Sequence, residues 1–123
     1  MTSFLAGFSA VLHIYIFFME SILWGSDRVN KKFGVDAAKA EITRQFAFNQ
    51  GFYNLFLSVA IILGLFLMHS QGNPQGQTLM DYAMFSIFGA GAVLLASNPA
   101  MWIPATAQAL PPLIYGILRL SGK

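Results

Sequence analysis

Asn49-Gln50-Gly51-Phe52-Tyr53-Asn54 places four polar side chains within six residues at the head of a long apolar run. Amides and phenols in hydrocarbon are unfavourable unless a partner satisfies them. Partners are available upstream, at His13, Glu20 and Trp24. At about 100° per residue these three fall within about 40° of one another on a helix. Ser9 and Phe17 lie close to the same stripe. An imidazole and a carboxyl facing a cluster of amides suggest a polar pocket inside a membrane bundle. His13 and Glu20 are the candidate acid–base groups. Trp24, Asn49, Gln50, Tyr53 and Asn54 are the candidate ligand contacts. His13 and Glu20 are separated by about 10 Å along a helix axis. They therefore cannot pair directly and need separate partners, a water chain, or opposite ends of one ligand.

The helices must bring these groups together. Gln50 and Asn54 stand at i and i+4, as do Asn49 and Tyr53, forming two neighbouring sub-stripes. Gly51 permits close helix approach. Glu20 lies about one turn before the end of the first apolar segment, and Asn49 and Gln50 about one turn into the second. A short connection makes the two segments antiparallel neighbours, so Glu20 is expected to face the amides. Asn98, Trp102 and Gln108 begin the last segment on the same side and would close the pocket.

Hydrophobic residues make up 56% of the 123 residues and charged ones only 10%, against about 25% charged in a soluble domain. Of the twelve charges, eight lie between Asp27 and Arg44, and residues 1–19, 45–80 and 82–118 carry none with histidine neutral. This pattern predicts an all-α fold, a four-transmembrane-helix bundle forming one integral membrane domain over residues 1–123. The first helix is expected over about Thr2 to Trp24, with Gly25 as its stop. It lacks a basic leader and a small-residue cleavage site, so it reads as a retained span rather than a signal peptide. After a polar loop, Asp36 is a plausible N-cap for a helix running through Arg44 into an apolar part at about Phe46 to Met68. A third helix is expected over about Thr78 to Ala96, where Gly89-Ala90-Gly91-Ala92 allows close approach. The fourth runs from Pro99 to Arg119, kinked or broken by Pro104, Pro111 and Pro112.

Arg28, Lys31, Lys32, Lys39 and Arg44 lie between helices one and two. The positive-inside rule then places that loop in the cytoplasm and both termini outside, in a plasma or inner membrane. The sparse bases form no nucleic-acid stripe, and Lys31 and Lys32 suit topology or lipid head groups. With no cysteine, disulfides, thiolate metal sites and cysteine catalysis are excluded. Glu20 with one histidine supplies too few ligands for a metal, and nothing in the sequence requires a cofactor.

The pattern His13…Glu20…Trp24 followed by Asn49-Gln50-Gly51-Phe52-Tyr53-Asn54 resembles domain-of-unknown-function family 1304, small membrane proteins with four predicted helices. The resemblance covers most of the chain and implies the four-helix fold, but it implies no activity. Three functions stay open. The pocket binds an amphipathic or lipid-like molecule, its polar group held by Glu20, Gln50 and Asn54. Alternatively, Glu20 or His13 transfers protons in an enzyme acting on an isoprenoid-like or epoxide substrate. Or the cluster only orders a structural subunit, with the amides as interhelical glue. Membrane lipid and a small amphipathic ligand are the expected partners, and a homo-oligomer is compatible with the sequence.

Overall fold

The computed structural model describes residues 1–122. Helix α1 spans Thr2–Phe17 and runs directly into a π turn, Phe18–Ile22. Short α2 covers Asp27–Phe33, α3 Ala37–Gln71 and α4 Gln75–Ser97. A 3₁₀ turn, Pro99–Met101, leads into α5, Trp102–Leu120. The described residues contain no strand.

The four long helices form a ring. Helix α1 packs against α3 and α5, and α4 packs against the same two, while α1 and α4 barely touch across the middle. Neighbours run antiparallel. Asn54 meets Glu20 while Ser58 meets Ala10, and Asp81 near the start of α4 meets Arg119 at the end of α5. The interior is filled by Ala6, Ala10, Ile61, Met80, Met84 and Ile87. The outer face is apolar too. Phe4, Phe8, Val11, Tyr15, Phe18 and Ile22 recur at helical spacing along the exposed side of α1. An outer face this apolar, with the polar side chains turned inward, suits a membrane.

Among the described residues three helices are long and apolar enough to cross one: Thr2–Ile22, Ala37–Gln71 and Gln75–Ser97. Helix α5 is not among them. It has 19 residues and carries Pro104, Thr106, Gln108, Pro111, Pro112 and Arg119, which dilute its apolar character. The expected break at its prolines is absent, and one helix runs through all three. Pro104 sits in the first turn, where a missing N–H is harmless. Pro111 and Pro112 remove the usual donors to the Ala107 and Gln108 carbonyls.

Hydrocarbon side chains gain little by leaving hydrocarbon lipid, so close packing must hold the ring. Gly64 of α3 lies against Gly76 of α4: a Cβ added at Gly76 would stand 2.5 Å from the Gly64 carbonyl oxygen. From the small-residue run in α4, Gly91 packs on Ala105 and Ala109 of α5, whereas Gly89 faces open space.

The segment between α1 and α3 is more ordered than a polar loop. Ser26 caps α2 through the Val29 N–H, and Gly34 closes it in the left-handed conformation at φ 65°. Asp36 caps α3, its carboxylate accepting from the Lys39 N–H at 2.7 Å. Asp36→Ala is expected to lower stability by about 1 kcal/mol, read as a shifted unfolding midpoint in detergent, without loss of the bundle.

Candidate functional site

The π turn sets the geometry around Glu20. The Leu23 N–H reaches back five residues to the Phe18 carbonyl at 2.8 Å. The extra residue in that turn changes the phase of everything after it. Helix one therefore ends at Ile22, two residues earlier than expected, and Trp24 lies beyond it. Gly25 follows with φ 93°, and Arg44 reaches across from α3 to donate to the Trp24 carbonyl at 3.0 Å.

Glu20 is 8% exposed, as is Asn54 on α3. Asn54 Nδ2 donates to Glu20 Oε1 at 3.1 Å and to the Gln50 carbonyl at 3.0 Å. One turn away, Ser58 Oγ donates to the Ala10 carbonyl at 2.8 Å. The two bonds tie α1 to α3 at different depths. Gly51 makes the approach feasible, since any Cβ there would collide with Ser21 Oγ. Ser21 in turn donates to the Phe48 carbonyl at 2.7 Å.

Glu20, Trp24 and Gln50 line one concavity of about 310 Å³, walled by Phe33, Val35 and Phe46. Trp24 is oriented by its Nε1–H, which donates to the Ala40 carbonyl at 2.9 Å. Its ring meets Phe33 edge-on at 5.1 Å. The concavity opens beside α2, at the end of the bundle where the basic residues gather.

The other candidates separate from this group. Asn49 and Tyr53 are exposed on the outer face of α3. Trp102 is exposed and Gln108 half-buried on α5, and neither lines the concavity. Asn98 makes no side-chain cap. His13 is fully buried but sits deeper in the ring. Its Nδ1 meets the Ser9 carbonyl at 2.8 Å. A carbonyl only accepts, so this contact assigns a proton to Nδ1. Among the described residues neither His13 Nε2 nor Ser9 Oγ has a hydrogen-bond partner.

A second polar group stands at the opposite end of the bundle. The Asp81 carboxylate accepts from Arg119 Nε at 3.0 Å and Nη2 at 2.8 Å. It also accepts from Gln77 Nε2 at 2.8 Å and from the Tyr115 hydroxyl. Gln77 bridges further to the Tyr115 oxygen at 2.7 Å. Reading the motifs alone passes over this cluster. The available signal was Asp81 itself, the one formal charge between Arg44 and Arg119. An ionisable residue so placed in an apolar helix marks a site by default.

The family described as "Protein of unknown function (DUF1304)" has a model that matches residues 7–120. The chain belongs to that family. It matches no curated protein and no solved structure.

Proposed function

We propose that this DUF1304 protein is a four-helix integral membrane protein whose Glu20 concavity binds the polar end of an amphipathic, lipid-like molecule. The carrying observation is the arrangement of the Glu20 carboxyl. One oxygen is anchored by Asn54, while the residue lines an otherwise largely apolar concavity with Trp24 and Gln50. A fixed carboxyl at the end of an aromatic wall suits a ligand with one hydrogen-bonding head and an apolar body. On this reading α5 crosses the membrane with the other three helices, completing the ring that α1 and α4 share. The basic residues around α2 and the start of α3 then lie in the cytoplasm, with both termini outside. The ligand's head enters from the cytoplasmic leaflet.

A purely structural role has support in the same contacts, because the Asn54 and Ser58 bonds alone would hold α1 on α3. Acid–base chemistry at Glu20 or His13 has less: His13 does not line the concavity, and Glu20 is the one carboxyl or imidazole among its lining residues.

Trp24 provides the test. The chain has two tryptophans, so Trp102→Phe leaves Trp24 as the single reporter. Titration with decanol and decylamine in detergent is expected to give a saturable change in Trp24 emission with at least one probe. Glu20→Ala in the same background is expected to abolish the saturation. A linear, non-saturating response to both probes would leave the structural role as the better account.

A further inference from the structure

We propose that the groove between α4 and α5, at the Arg119 end of the bundle, holds one phospholipid. Its phosphate sits on Arg119 and one acyl chain runs inward over Gly116. This site is separate from the Glu20 concavity and rests only on the chain being a membrane protein.

The groove encloses about 500 Å³, and its polarity is ordered along its length. Asp81 and Arg119 mark one end, and Phe85, Phe88 and Pro112 lie progressively deeper along the two helices. A lipid in a leaflet has the same order, with the head at the helix ends and the chain toward the midplane. The middle of the groove is bare backbone: a Cβ added at Gly116 would meet nothing within 4 Å. The chain can therefore lie directly on α5.

Shape alone would not retain a lipid, because hydrocarbon gains little by exchanging lipid neighbours for protein ones. The head group must supply the selectivity. Arg119 is suited to this. Its Nε and Nη2 are committed to Asp81, which fixes the guanidinium plane. Among the described residues no protein acceptor meets its Nη1. Guanidinium N–H groups recognise phosphate oxygens directly. The neighbouring Asp81 Oδ1 is taken by Arg119, Tyr115 and Gln77, and Oδ2 accepts from Arg119 Nη2, so the phosphate meets the guanidinium at Nη1, off the edge that faces the carboxylate.

The test uses the purified full chain, delipidated and reloaded with dioleoylphosphatidylcholine, with bound lipid counted by native mass spectrometry. One retained lipid per chain is expected for the wild type. Gly116→Leu leaves the Asp81–Arg119 contact intact and fills the groove. It is expected to reduce retention about tenfold. Gly89→Leu, a matching change into open space outside the groove, is expected to behave as wild type. Dioleoylglycerol, which has the same chains and no phosphate, is expected to be retained far less. Unchanged retention in Gly116→Leu, equal loss in Gly89→Leu, or equal retention of the diacylglycerol would each overturn the proposal.

Discussion

Gly64→Leu is expected to destabilise the bundle by about 3 kcal/mol, the upper part of the usual range for overpacking. Gly64 of α3 lies directly against α4. A Cβ there would stand 2.6 Å from Met80 Cγ and 2.8 Å from the Gly76 carbonyl oxygen. The methionine can swing aside, but the carbonyl belongs to the backbone of α4 and moves only with its helix. Separating α3 from α4 also loosens the packing of Met80, Met84 and Ile87, which fill the interior. Gly89→Leu is the control, because it enters open space on α4 and should change stability by no more than about 0.5 kcal/mol. Unfolding by denaturing detergent, followed by circular dichroism, reads both. Equal stability of the two variants would show that α3 and α4 do not pack through Gly64 and Gly76.

Asn54→Leu is expected to be the most damaging change at the polar site, at about 2–3 kcal/mol. It deletes the hydrogen bond to Glu20 and leaves a buried carboxyl oxygen without its donor. The loss should depend on Glu20 being present. In Glu20→Met/Asn54→Leu both polar groups are gone, and apolar side chains of similar size face each other. Removing both partners of a buried pair can be nearly neutral, so the double variant should recover most of the stability. Ligand binding should be lost in the single and double variants alike. A double variant as unstable as the sum of its parts would mean that the two residues act independently.

The facing of α1 and α3 was legible because its signals are local. Glu20 stands near the end of one apolar segment and Asn54 near the start of the next, and a short connection leaves antiparallel packing as the simple solution. Asp36 marked the start of α3 as a cap before an unbroken helix. The π turn was not legible. An insertion of one residue in a helical turn has no sequence signature of its own, yet it decides where Trp24 goes. His13 shares a helix face with Glu20 but lies about 10 Å deeper along the axis, and the structure leaves it outside the concavity. Of that polar cluster Asn49, Gln50 and Tyr53 are exposed and Asn54 alone is buried against α1, with Gln50 at the rim of the concavity. Which residue faces α1 depends on helix rotation, and Gly51 against Ser21 sets it. The Asp81 cluster was missed because its partners Tyr115 and Arg119 lie 34 and 38 residues further on, on a helix whose register motif spacing does not reveal. At the prolines of α5 a kink or a break is expected; the helix does not break, although Pro111 and Pro112 lack the N–H groups that would bond the Ala107 and Gln108 carbonyls.

The central claim is that the Glu20 concavity holds the polar end of an amphipathic molecule, and an inventory of bound small molecules tests it most directly. The wild type and Glu20→Ala are purified identically in mild detergent, extracted with organic solvent and compared by mass spectrometry, with Gly116→Leu as a third sample. An amphipathic compound is expected near equimolar with the wild-type chain, depleted about tenfold or more in Glu20→Ala, and still present in Gly116→Leu. The same compounds in the same amounts from wild type and Glu20→Ala would contradict that claim.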